Sequence, residues 1–287
     1  MPGPAPVDPD AALSHPAQSR PALSRPALSR PTQSRPVQGR PAAERPAIMR
    51  PGERPQLWAL PQVRHWLLLG ALLAAAVVAL GLTVQSVPGF SAAELGVDQE
   101  LSLHHAAALT AVAMALNVVF GPVAGLALIA AAAVYLWLFR GGLVKAIAFG
   151  LVASSGWVAS ECFKILVARQ RPNPALLFDP LAPETGSNSF PSGHVSFAVA
   201  LGFALYFLAR GTRWAKVTAI GAAAVALVVA WSRLYIGVHY PTDVAASFLA
   251  ASAAAVVLAG LWNLAAPRIA DRFPALTATR SRRSERK

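Results

Sequence analysis

The chain has 287 residues, of which 55% are hydrophobic and only 13% charged, about half the roughly 25% charged share of a soluble domain, so a single water-soluble domain is excluded. Its net charge of +12 would suit nucleic acid if the 25 Lys/Arg formed one folded groove or stripe, but their positions do not, and no nucleic-acid partner is expected. The single cysteine, Cys162, rules out an intramolecular disulfide and a Cys-cluster zinc site.

Residues 1–65 hold 14 of the 24 prolines, nine arginines and four acidic residues, with no apolar run long enough to make a core. That composition predicts a disordered tail. Within it Arg20, Arg25, Arg30, Arg35, Arg40, Arg45 and Arg50 recur every five residues, each followed by proline. A continuous helix is excluded, because each ring removes a donor and disfavours helix in the residue before it. The tail reads as a solvated linker or, alternatively, as a ladder of arginines for anionic lipid headgroups, at up to about 1 kcal/mol for each one held near the surface. The first apolar segment starts only at Trp66, too late for a cleaved signal peptide, so the tail is expected to stay attached.

Apolar stretches follow at about 66–86, 104–119, 121–139, 144–167, 192–209, 214–231 and 244–264. Most approach the roughly 20 residues that a helix needs to cross the hydrocarbon. The stretch 104–119 is short, opens with His104-His105 and is followed by Gly121-Pro122; counting it gives seven crossings, and dropping it gives six. The basic residues decide, because short cytoplasmic loops carry the Lys/Arg excess. With six spans and the amino terminus inside, the cytoplasmic segments are the tail, the turn with Arg140 and Lys145, the turn with Arg210, Arg213 and Lys216, and the end from Arg268. Together they hold 21 of the 25 basic residues. Seven spans would move Arg140 and Lys145 outside.

The predicted fold is therefore all-α: an integral membrane bundle of six transmembrane helices over 66–265, between the disordered cytoplasmic tail 1–65 and a basic cytoplasmic tail 266–287. Residues 98–119 become an extra helix on the outer face, in a loop that also carries Glu94, Asp98 and Glu100. A multi-pass protein of a bacterial plasma membrane is expected, with both termini in the cytoplasm.

Four basic residues break the topology rule: Lys164, Arg169, Arg171 and Arg233 fall on the outer side. A cation near hydrocarbon costs about 2.5–3.5 kcal/mol on insertion scales and marks function by default. Lys164 and Arg171 are seven apart, so a persisting helix would point both the same way, about 10 Å apart along its axis. Pro172 predicts a helix end just before it; snorkelling at a span end is the plainer alternative. Next, Ser189-Phe190-Pro191-Ser192-Gly193-His194 directly precedes an apolar run. A helix start presents free N–H groups and a positive dipole end to an anion. Gly193 permits close approach, Ser192 can donate a hydroxyl and His194 adds a proton that titrates near neutrality, although the segment can also be a simple cap. Last comes Ser232-Arg233, followed by His239, Pro241 and Asp243. Pro241 suits a first helical position, leaving His239 just before the helix and Asp243 in its first turn. The carboxylate can then fix one imidazole nitrogen and free the other to attack, unless the pair is only a helix-start hydrogen bond.

Three cations, two histidines and an aspartate on one membrane face describe an anion site, and phosphate suits the arginine fork. Two histidines beside phosphate supply a nucleophile and an acid. Those same cations would repel a divalent ion, so neither a metal nor a cofactor is expected.

These three segments resemble the motifs of the type-2 phosphatidic acid phosphatase superfamily, which shares its site with vanadium haloperoxidases. Lys164 to Arg171-Pro172 matches the first motif, Pro191-Ser192-Gly193-His194 the second, and Ser232-Arg233 with His239 and Asp243 the third. The resemblance covers about residues 66–265. It implies a six-helix membrane bundle and metal-independent hydrolysis of a lipid phosphate ester or anhydride. By similarity, His239 would be the nucleophile that forms a phosphohistidine, Asp243 would orient it, and His194 would protonate the leaving oxygen. Lys164, Arg171, Arg233, Ser192 and the Gly193 amide would hold the non-bridging oxygens. The implied partner is a lipid phosphate: a polyprenyl diphosphate, phosphatidate or phosphatidylglycerophosphate. Two rivals stand beside this: a vanadate-holding haloperoxidase, disfavoured by the membrane spans because those relatives are soluble, and a non-catalytic lipid-phosphate binder or transporter, which would need neither acid nor nucleophile.

Overall fold

The computed structural model describes residues 59–140 and 142–272. The arginine-proline repeat and residues 273–287 of the basic carboxyl tail lie outside the described residues, and with them the expectations made for those stretches, while residues 266–272 belong to the last helix. Among the described residues the regular structure is helical: α1 (Trp66–Ser86), α2 (Phe90–Leu103), α3 (Ala107–Val119), α4 (Pro122–Tyr135, continued by a π-turn at Leu136–Arg140), α5 (Leu143–Val167), α6 (Gly193–Ala209), α7 (Ala215–Tyr235) and α8 (Pro241–Arg272). Five of these segments are long and apolar enough to cross a membrane: Trp66–Ser86, Pro122–Arg140, Leu143–Val167, Ala215–Tyr235 and Pro241–Ile269. Large apolar side chains also face outward on several of them, with Val123 85%, Ile165 81% and Ile220 71% exposed. Helices apolar on their outer as well as their inner faces belong in lipid, and the chain is a multi-pass membrane protein.

Packing fixes the direction of each helix. At one end of the bundle Leu60, Leu136, Ala146, Phe149, Ala204 and Trp262 form one buried cluster, joining the segment before α1 to the end of α4, the start of α5 and the ends of α6 and α8. At the other end Val167 and Phe190 close on Gly81 of α1, and the ends of α5 and α7 meet the starts of α6 and α8. Consecutive helices from α4 to α8 therefore alternate in direction. α6 has only 17 residues, about 25 Å of helix, yet it runs between the same two ends as its longer neighbours. Its close partner is α5: a Cβ at Gly156 would stand 2.1 Å from the Ser196 carbonyl oxygen, so the two backbones touch there.

Two expectations need correction. The outer-face helix anticipated over 98–119 is instead a pair, α2 and α3, because Ala106 is extended (φ −123°, ψ 136°). Tertiary partners take over at this joint: the Tyr235 hydroxyl accepts the Ala106 N–H at 2.9 Å, and His105 reaches Asp179 Oδ2 and the Tyr235 carbonyl, each at 2.8 Å. In addition, α5 does not persist to Pro172. It stops at Val167, with Ala168 in the left-handed region (φ 51°) and the Ala168 N–H bonded to the Lys164 carbonyl at 2.8 Å. Lys164 and Arg171 consequently do not share a helix face.

Candidate active site

The reversal at Ala168 places Arg169 and Arg171 inside the end of the bundle, among the starts of α6 and α8. His239 lies in the short loop before α8 and is 1% exposed. Its Nε2 faces Arg171 Nη1 at 3.4 Å, and its Nδ1 faces Asp243 Oδ2 at 3.6 Å, a separation beyond a hydrogen bond. Pro241 opens α8 and puts Asp243 in its first turn, as the sequence pattern anticipates. Asp243 is fully engaged: Oδ2 accepts the Tyr240 N–H at 2.9 Å and the Ser189 hydroxyl, and Oδ1 accepts from Arg169 Nη1 at 2.6 Å. Burial above all, with Arg171 and Arg233 adding to it, pushes the His239 imidazole down to about 4 against the pull of Asp243. At neutral pH the ring is uncharged, the form in which a ring nitrogen can attack.

Arg233, fully buried near the end of α7, donates to Asn117 Oδ1 and to Glu184 Oε1, the latter at 3.2 Å. The second Glu184 oxygen lies 2.8 Å from Arg171 Nη1, so one carboxylate joins the two guanidinium groups. His194, in the first turn of α6, has Nε2 3.0 Å from the Asn117 carbonyl oxygen. Asn117 thus serves Arg233 with its side chain and His194 with its backbone, and His194 is close enough to Arg233, His239 and Lys164 to interact electrostatically with all three. Lys164 pairs with Glu161 at 2.7 Å. Its ammonium also lies against the start of α6, 3.5 Å from where a Cβ on Gly193 would be; a glycine there keeps that face of the backbone open. Ser192 caps α6 and is fully buried, its Oγ without a hydrogen-bond partner among the described residues, while its N–H contacts the Asp243 carbonyl at 3.4 Å.

All eight residues singled out in the sequence, Lys164, Arg171, Ser192, Gly193, His194, Arg233, His239 and Asp243, therefore gather at one end of the bundle. Together they offer a neutral imidazole beside a carboxylate, three cations and an unpaired hydroxyl at a helix start, a constellation suited to a phosphoryl group. Sequence reasoning missed Asn117 and Glu184, which stand outside any periodic or charge pattern it used, and it gave Ser189, at the head of the segment before α6, no role. Arg169 was visible as a cation on the outer side but had no assigned partner. Glu94 and Asp98 read in the sequence only as loop charges, whereas Asp98 is fully buried in α2 and, among the described residues, neither of its carboxylate oxygens has a hydrogen-bond partner. Burial first, then the nearby Asp243 and Glu94, raise its carboxyl to about 8.

Known proteins resemble parts of this chain. Residues 143–266 match the PAP2 superfamily. The undecaprenyl-diphosphatase BcrC of Bacillus subtilis is 30% identical over 102 residues, covering 36% of this chain and 50% of that protein. An undecaprenyl-diphosphatase of Sulfolobus acidocaldarius is 36% identical over 99 residues, covering 33% and 44% respectively. The chain thus spans about half the length of the curated relatives it matches. Among solved structures, a transmembrane PAP2-type phosphatidylglycerolphosphate phosphatase from Bacillus subtilis superposes with a TM-score of 0.55 at 24% identity, over 68% of this chain and 93% of that one; this likeness bears on the fold alone. The segment that matches the PAP2 superfamily begins with α5, ends within α8 and contains every motif residue named above.

Proposed function

We propose that the chain is a membrane phosphatase that hydrolyses a lipid phosphate or diphosphate without a metal, through a phosphohistidine on His239. The observation that carries the reading is the setting of His239: one ring nitrogen faces Asp243 and the other faces Arg171, with Arg233, Lys164 and the start of α6 close by. In this mechanism Asp243 keeps the proton on Nδ1, and Nε2 attacks phosphorus. The bond to the leaving oxygen breaks as His194 supplies that oxygen with a proton, and the phosphoryl group passes to Nε2. Lys164, Arg171, Arg233, the Ser192 hydroxyl and the Gly193 amide hold the three non-bridging oxygens, where preorganised donors contribute about 3–4 kcal/mol each to the transition state. Water then attacks the phosphohistidine, giving its proton to His194, and inorganic phosphate leaves. Before substrate can bind, Glu184 must yield its place between Arg171 and Arg233.

Six spans and an outward-facing site complete the reading. Arg140, Lys145, Arg210, Arg213, Lys216 and Arg268 all belong to turns and helix ends at the pole opposite His239, and the Lys/Arg bias assigns that pole to the cytoplasm. The relatives' names make a polyprenyl diphosphate the first substrate to try, with phosphatidylglycerophosphate and phosphatidate next. Phosphate release from these three lipids by purified protein, in detergent with a chelator present, tests the assignment. Turnover of at least one is expected, whereas release that requires added metal, or none from any lipid, would overturn it.

A further inference from the structure

Of the four outer-side cations, Arg169 is the one to which the resemblance gives no role, yet among the described residues it has the most hydrogen-bond partners. It is 3% exposed. Nη1 lies 2.6 Å from Asp243 Oδ1 and 2.7 Å from Thr242 Oγ1, while Nη2 lies 2.9 Å from Ser91 Oγ and 2.7 Å from Glu94 Oε2. Its guanidinium carbon stands 4.1 Å from the centre of the Tyr240 ring. Glu94 in turn accepts the Thr242 N–H at 2.7 Å and the Thr242 hydroxyl at 2.8 Å. Arg169 and Glu94 together tie the outer helix α2 to the first turn of α8.

We propose that Arg169 is a positioning residue for phosphoryl transfer: anchored by Glu94 and Ser91 of α2, it holds the Asp243 carboxylate so that Oδ2 is presented to His239. The proposal rests on His239 and Asp243 acting as nucleophile and orienting carboxylate. An aspartate carboxylate turns easily about its last torsion, which is broad and roughly two-fold. A charge-assisted bond is about twice as strong as a neutral one, and here it fixes Oδ1 from the side away from the imidazole. Oδ2 is left to the Ser189 hydroxyl, the Tyr240 N–H and the His239 ring. The charge balance points the same way. Glu94 and Asp243 carry two negative charges against one guanidinium, leaving a net negative charge to meet the positive charge that develops on the ring as Nε2 bonds phosphorus. Without Arg169 the buried Asp243 carboxylate and the part-buried Glu94 carboxylate would face each other, with Asp98 close by, and Asp243 would turn or take up a proton.

The test is steady-state phosphate release by purified full-length protein, in the wild-type and Asp243→Asn backgrounds. Arg169→Gln is expected to lower kcat by about 10²-fold and to change KM by less than about threefold, with Arg169→Lys recovering part of the loss. In the Asp243→Asn background the same change should cost less than about threefold, because no carboxylate remains to be oriented. A merely structural residue would cost the same factor in both backgrounds. Glu94→Gln should show the same pattern at about tenfold, and it carries the comparison alone if Arg169→Gln does not fold. Wild-type kcat in these variants, or an undiminished loss beside Asp243→Asn, overturns the inference. An inactive His239→Ala beside an unaffected Arg169→Gln would sink it alone, whereas an active His239→Ala would sink the nucleophile reading and this inference together.

Discussion

At the pole where α5 and α7 end, Arg169, Arg233, His239 and Asp243 are each 3% exposed or less, and they are held by one another and by Asn117, Glu94, Glu184 and Ser189. At the opposite pole Arg210 and Arg213 are exposed, and the interior is Leu60, Phe149, Ala204 and Trp262. The same residue types thus play two parts. Cations left exposed at a helix end ask little of their neighbours. Cations drawn inside must be matched charge for charge, because breaking a buried pair costs about 3–5 kcal/mol, and a fold keeps such an arrangement where chemistry requires it.

The sharpest way to break this contrast is His239→Ala. The buried pole should lose at least about 10³-fold in kcat, measured as phosphate release, and activity near wild type would remove the nucleophile. Arg171→Lys keeps a charge but loses the planar fork between His239 and Glu184, and a fall of about 10- to 100-fold in kcat/KM is expected. The pH profile follows. Attack needs neutral His239, and its proton affinity is depressed to about 4, so the acid limb of kcat/KM should fall through a pKa near 4. A limb at the ordinary imidazole value would mean that the ring is not buried as described.

Asp98→Asn should be felt in stability. The folded carboxyl titrates near 8 and the unfolded one near 3.8, so the neutral form suits the fold and stability is lost as pH rises from 3.8 toward 8. The substitution should accordingly raise the melting temperature more at pH 8 than at pH 5. Last, Arg213→Gln at the opposite pole should leave kcat within about twofold of wild type. A larger loss would show that the two poles are not independent.

Much of the bundle was legible because hydrocarbon imposes a length: the apolar run 66–86 is α1 itself, and the run 144–167 is α5 within a residue. The site was legible where its residues are neighbours in sequence, as in Ser192-Gly193-His194 or His239 to Asp243. What escaped is what long-range pairing decides. Asn117 meets Arg233 across 116 residues, and Glu94 meets Thr242 across 148, with no local pattern to announce either. The end of α5 escaped for another reason: Pro172 signals that a helix must stop, but the stop falls at Ala168, a residue type that seldom adopts a left-handed conformation.

The bare α-carbon at position 156 has a mechanical effect. Because α5 and α6 touch main chain to main chain there, neither can slide along the other without collision. The ammonium at the far end of the first helix and the open amides at the head of the second are thereby kept at a set spacing. A thinner or thicker bilayer can tilt this pair as a unit, while the distance between that ammonium and those amides is kept.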